Sequence, residues 1–125
     1  MSDLKIILIV DDSMSIRREL RAIIEKKGYD VREAGDGKMM NFRINENKIK
    51  VNLILMDISL KEENGFELVK QIKDNDEFKE IPIIMLTGHT EKKNVLTAKS
   101  IGVEGFLRKP IDPDMLIKRL EGILG

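Results

Sequence analysis

Two kinds of segment alternate along the chain. The first is short and apolar: Leu4–Val10, Val31–Ala34, Leu53–Met56, Ile81–Leu86 and Gly105–Leu107. The second repeats its apolar residues at helical spacing. Ile16, Leu20, Ile23 and Ile24 stand at i, i+4, i+7 and i+8, one stripe of an amphipathic helix, and Gly28 after Lys26 and Lys27 marks its end. Phe66, Val69 and Ile72 form another stripe; Asn64 caps it and Glu67, three residues on, completes a capping-box pattern. Val95, Leu96, Ala98 and Ile101 predict a helix opened by Thr90 and closed by Gly102. Asp112-Pro113-Asp114 starts the last one, because proline suits the first helical position, and Leu116, Leu120, Ile123 and Leu124 give its buried face. The segment from Lys38 to about Asn47 has the most blurred period, with Met39, Met40, Phe42 and Ile44, and leaves through the polar turn Asn45-Glu46-Asn47.

The resulting order is β-α repeated five times, which implies a parallel sheet covered by helices on both faces. Strands buried on both faces read as continuous apolar runs. The first, third and fourth do so. The second (Val31, Arg32, Glu33, Ala34) is half polar, and the fifth is short and meets Arg108. Those two therefore belong at the edges. The order 2-1-3-4-5 of the flavodoxin-like doubly wound (βα)5 fold satisfies this, and it puts a switch point between the first and third strands, where ligands bind beyond the carboxyl ends.

Length and charge narrow the picture. A chain of 125 residues predicts a single domain, 1–125. Lys plus Arg and Asp plus Glu number 22 each, so the formal net charge is zero, which argues against a strongly basic nucleic-acid binder. With no cysteine, disulfides and thiolate metal sites are excluded. The longest apolar run, Ile6 to Val10, is far short of the roughly 20 residues of a membrane span. Met1-Ser2-Asp3 does not begin a signal peptide, so a cytoplasmic location away from membranes is predicted.

The chemistry gathers at the strand ends. Asp11 and Asp12 leave the first strand and Asp57 the third, and the proposed order makes those strands neighbours. Two carboxylates 4 Å apart repel by roughly 4 kcal/mol at an effective dielectric near 20, so the cluster calls for a cation or a retained proton. Hard oxygen ligands point to magnesium, Mg2+, which favours one or two carboxylates with waters and a phosphate. The fourth strand ends in Thr87, a hydroxyl donor, and the fifth is followed by Lys109, a point-charge partner for phosphate.

In these elements the sequence resembles the receiver domain of bacterial two-component response regulators. The matching motifs are Asp11–Asp12 after ILIV, Asp57 after LILM, Asn64–Gly65 in the following loop, Thr87–Gly88 after IIML, and Lys109–Pro110 after GFLR. The resemblance covers essentially the whole chain. It implies a signalling protein rather than an enzyme, with only slow self-dephosphorylation. Asp57 would be the phosphoacceptor. Asp12, Asp57 and the backbone carbonyl of Ser59 would hold magnesium, with Asp11 acting through a water. Lys109 would pair with Asp57 and then with the phosphoryl oxygens, and its peptide to Pro110 would be cis. Thr87 would move to the phosphoryl group, and Phe106, at the place of the family's switch aromatic, would turn inward. The donor would be a sensor histidine kinase or a histidine phosphotransfer protein. Output would pass to a downstream protein through helix four, strand five and helix five, where Lys92, Lys99, Glu104, Arg108, Lys118 and Arg119 stand.

The sequence departs from the family pattern in places. Leu60 and Lys61 stand where the family carries a Met-Pro pair, and Glu62 and Glu63 make the same loop acidic. His89 lies two residues beyond Thr87, where it could tune hydrolysis or be a solvated loop residue. Ending with the fifth helix, the chain resembles a stand-alone receiver, of the chemotaxis-regulator type or a phosphorelay intermediate. Other readings fit less well. A haloacid-dehalogenase-type phosphatase wants a second Asp where Ser59 stands, and a flavodoxin's phosphate would be repelled by Asp11 and Asp12. A phosphorylation-independent pseudo-receiver, acting only as a binding module, is the remaining alternative; its hallmark would be loss of a site residue, and none is lost.

Overall fold

The computed structural model describes residues 4–46, 49–88 and 92–125. Five strands and five helices alternate: β1 (Ile6–Val10), α1 (Met14–Lys26), β2 (Asp30–Ala34), α2 (Gly37–Ile44), β3 (Val51–Asp57), α3 (Gly65–Lys73), β4 (Ile83–Thr87), α4 (Lys92–Ser100), β5 (Gly105–Arg108) and α5 (Pro113–Leu124). The strands form one parallel sheet in the order β2-β1-β3-β4-β5. The half-polar β2 and the short β5 are its edges, as their composition predicts. Among the described residues no helix is long and apolar enough to cross a membrane.

Alternation along each strand sorts the core into two layers. Leu8, Val10, Ile54, Met56, Ile83 and Met85 face α2, α3 and α4, packing on Met40, Phe66, Val69, Ile72 and Ala98. Ile7, Ile9, Leu53, Leu55, Ile84 and Leu86 face α1 and α5, packing on Leu20, Ile24, Leu116 and Leu120. The central strands are thus apolar on both sides, which is why they read as uninterrupted runs.

The helix ends follow local chemistry. Ser13 caps α1 through Ile16 N–H, and Gly28 follows at φ 92°, the left-handed region that glycine enters without strain. Asp112 caps α5 with Pro113 at its first position. Two expectations are corrected. The Asn64–Glu67 capping box does not form: Asn64 accepts from the Phe66 amide, and Glu67 turns to Lys70 at 3.5 Å. The blurred helix α2 is shorter than Lys38–Asn47, because Asp36 accepts from Met39 N–H and starts it at Gly37, and it ends at Ile44. Asn47, His89, Thr90 and the side chain of Lys92 lie outside the described residues.

Candidate functional site

Val10 pairs with Met56 across β1 and β3, so the next residue of each strand emerges at one place. Asp11 is fully buried there, Asp57 is 5% exposed, and Asp12 points outward and is exposed. One carboxylate oxygen from each of the three lies within 4.8 Å of the others. Lys109, beyond the end of β5, reaches the buried pair: Nζ is 2.7 Å from Asp11 Oδ2 and 3.4 Å from Asp57 Oδ2. The lysine is therefore shared and sits nearer Asp11, a partner that the resemblance does not name for it. Its peptide bond to Pro110 is cis, and its N–H donates to the Thr87 carbonyl at 2.6 Å.

Backbone donors complete the carboxylates. Ser13 N–H donates to Asp11 Oδ1 at 2.9 Å and Ser59 N–H to Asp57 Oδ1 at 3.2 Å. Burial and the neighbouring Asp11 charge disfavour the charged form of Asp57, Lys109 and the Ser59 amide favour it, and the net result is that the Asp57 carboxyl is pushed up to about 6. A cation there would relieve the Asp57 charge. The donor set of carboxylate oxygens without sulfur fits a hard divalent ion such as magnesium.

The loop after β3 is built to hold the Asp57 peptide. Ile58 N–H continues the ladder to Leu86 O, Gly65 N–H returns to Ile58 O at 2.7 Å, and Ser59 pairs with Asn64 in an antiparallel bridge. Gly65 presses against the Asp57 carbonyl so closely that any Cβ would collide with it. Leu60 is buried, and its N–H donates to Glu63 O, while Glu63 Oε1 accepts the Gly37 amide at 2.8 Å. The loop without a Met-Pro pair is therefore tied down by hydrogen bonds. Between it and α2, an open cleft of about 540 Å³ is lined by Asp12, Asp36, Lys61, Glu62 and Glu63.

Thr87 is 4% exposed at the end of β4, continuing the alternation of Ile83 and Met85 toward the α3–α4 side. Phe106 pairs with Met85 and packs on the same layer, half-buried. One residue that sequence reasoning missed touches the site from below. Arg17 of α1 donates Nη1 to the Asp11 carbonyl at 2.6 Å. Its signal was a basic residue beside the apolar stripe of α1, facing the odd carboxylate Glu33 of edge strand β2.

Residues 7–121 match the family model of the response regulator receiver domain. The chain belongs to that family. This receiver is similar to the chemotaxis protein CheY1 of Helicobacter pylori, 38% identical over 120 residues that cover 95% of this chain and 96% of that protein. It is similar in structure to chemotaxis protein CheY4 of Vibrio cholerae, with a TM-score of 0.88 and 32% identity over 96% of this chain and 98% of that one. The Mn(2+)-bound form of response regulator Rcp1 also resembles it, with a TM-score of 0.79 and 28% identity over 95% of this receiver and 91% of that chain.

Proposed function

We propose that residues 1–125 act as one receiver unit that takes a phosphoryl group onto Asp57 from a phosphohistidine of a sensor histidine kinase or histidine phosphotransfer protein. The observation that carries this reading is the shared lysine: Lys109 Nζ stands between Asp11 and Asp57 at the mouth of a three-carboxylate cluster. An Asp57 oxygen attacks phosphorus in line. The new P–O bond forms as the P–N bond breaks, and the electron pair of that bond returns to the imidazole. Such a transfer needs charge neutralisation and alignment more than acid–base groups. Magnesium, held by Asp12, Asp57 and the Ser59 carbonyl with Asp11 through a water, would supply part of that neutralisation. That a similar solved structure, response regulator Rcp1, is a Mn(2+)-bound form supports a divalent cation in this receiver too. Lys109 then turns to the phosphoryl oxygens, and the Thr87 hydroxyl donates to one of them.

The phosphorylated state is read by a downstream protein on the surface of α4, β5 and α5, with Thr87 and Phe106 as the switch. The protein works in the cytoplasm, without direct nucleic-acid or membrane contact, and loses the phosphoryl group by slow hydrolysis. The test is intact mass after incubation with acetyl phosphate and magnesium. The wild type gains one phosphoryl group and Asp57→Asn gains none. Equal labelling of both moves the acceptor elsewhere, and no labelling of either leaves the protein a binding module.

A further inference from the structure

We propose that Arg17 is a positioning residue for the Asp11–Asp12 turn, and that Glu33 of the edge strand holds it in place. The proposal rests on reading the acidic cluster as a magnesium site. Arg17 is 15% exposed and uses two edges of its guanidinium. Nη1 donates to the Asp11 carbonyl at 2.6 Å, and Nε pairs with Glu33 Oε1 at 2.9 Å. The peptide between the two aspartates is thus clamped on its oxygen, which sets the direction in which Asp12 leaves. Asp11 N–H donates to Ala34 O and Ser13 N–H to Asp11 Oδ1, so the turn is held from β2 on one side and α1 on the other. The neighbouring Gly35 leaves room for the clamp, since a Cβ there would lie 3.3 Å from Arg17 Nη1.

Glu33 is fixed in turn. Arg21 Nη1 lies 2.6 Å from its Oε2, and Arg43 Nε donates to its carbonyl. Burial alone would push the Glu33 carboxyl up, but the hydrogen bonds from Arg21 and Arg17 outweigh it and leave it below the ordinary value. A carboxylate with these partners stays charged at neutral pH and keeps the guanidinium in line. This also accounts for a charged residue in β2: its carboxylate pairs with Arg17 and Arg21 of α1.

Two explanations of Arg17 predict opposite signs. If Arg17 acts only through its charge, removing it should tighten magnesium binding, because a cation near the site has gone. If it positions the turn, removing it should weaken binding despite the lost repulsion. Arg21 is the control, since it pairs with the same Glu33 but does not touch the Asp11 carbonyl.

Magnesium titrations followed by NMR at the Asp12, Ser13 and Ser59 amides decide between them, with Ser13 amide exchange measured in metal-free protein. Arg17→Gln is expected to weaken magnesium by roughly tenfold, in the range seen when partners of metal ligands are removed, and to speed Ser13 exchange. Arg21→Gln should move both far less than Arg17→Gln, since the clamp on the Asp11 carbonyl stays and Arg17 and Arg43 still hold Glu33. Gly35→Ala keeps every charge but crowds the guanidinium, and should weaken magnesium a few-fold. Arg17→Lys can reach the carbonyl or Glu33 but not both; it should fall between wild type and Arg17→Gln, and it serves if the latter does not fold. Equal or tighter magnesium binding in the Arg17 variants, with wild-type Ser13 exchange, overturns the proposal while the metal site stands. If the wild type shows no magnesium response, the metal reading fails and Ser13 exchange alone decides whether Arg17 holds the turn.

Discussion

Along β1, Ile7, Leu8, Ile9 and Val10 are all fully buried, and so is the next residue, Asp11. The same step occurs in β3, where Leu53 to Met56 give way to Asp57. One position along a strand separates groups that hold the sheet together from groups that oppose it. The strand bodies gain by removing apolar area from water. At their carboxyl ends, the same burial desolvates two carboxylates, which Lys109 and backbone amides compensate in part. The sheet core thus supports a site that is not at its own stability optimum, which is the usual relation between scaffold and functional group.

The largest test of that contrast is truncation in the core. Leu55 of β3 is fully buried on the sheet face that α1 and α5 cover. Leu55→Ala should lower the unfolding free energy by about 2–5 kcal/mol, through lost transfer energy and the cavity left behind. Urea denaturation measures it; a loss under about 1 kcal/mol would mean the layer can collapse around the gap.

At the site the sign reverses. The folded Asp57 carboxyl titrates at about 6, above its ordinary 3.8. The folded state therefore binds the proton more tightly than the unfolded chain. Stability from this group is fully present below pH 3.8 and is lost as pH rises through 6. The two-unit difference sets an upper limit of about 3 kcal/mol at neutral pH. Asp57→Asn should therefore stabilise the metal-free protein at pH 7.5 by about 1–3 kcal/mol, and the gain should vanish near pH 3.5. Denaturation midpoints across pH check this; a constant gain would place the cause outside ionisation.

Much of this contrast was legible in the residues themselves. The apolar runs and helical stripes carried the β-α alternation, and Glu33 and Arg108 marked the edge strands. Asp11, Asp57 and Thr87 stand out because each ends an apolar run, and Lys109 because it leaves the fifth strand just before Pro110. What escaped depends on contacts between residues distant in the chain. Nothing local says that Lys109 sits nearer Asp11 than Asp57, that Glu63 reaches the first amide of α2, or that Arg17 clamps the Asp11 carbonyl. The limits of α2 were blurred because Met39 and Phe42 are exposed, so apolarity did not track burial there. The capping box failed because Asn64 reached the amide one residue earlier than the pattern assumes.

Magnesium should narrow the gap between core and site. At ten times its dissociation constant it should add about 1.4 kcal/mol by linkage, and Asp12→Ala should abolish that response. Without metal, the same substitution should change stability by less than about 0.5 kcal/mol, as is usual for exposed positions: Asp12 is exposed, and the charge that raises Asp57 is that of Asp11. Thermal unfolding with and without magnesium separates the two effects. A persistent magnesium response in Asp12→Ala would remove Asp12 from the site.

The smallest effect lies where the core and the site meet. Thr87 is buried like a core residue but ends a strand beside the carboxylates, and Phe106 packs against the same layer while half exposed. A phosphoryl group on Asp57 adds charge and acceptor oxygens. Thr87 can satisfy one of them by moving toward Asp57, and that motion frees space beside β5 into which the Phe106 ring can turn. A phenylalanine carries no hydroxyl, so its inward state leaves no polar group unpaired. Thr87→Ala should therefore change stability little and still accept the phosphoryl group, but lose the coupling to the ring. NMR with a beryllofluoride mimic reads this out. The wild type should show shift changes through β5 and α4 that Thr87→Ala lacks; identical changes in both would show that the phosphoryl group reaches this edge of the sheet by another route.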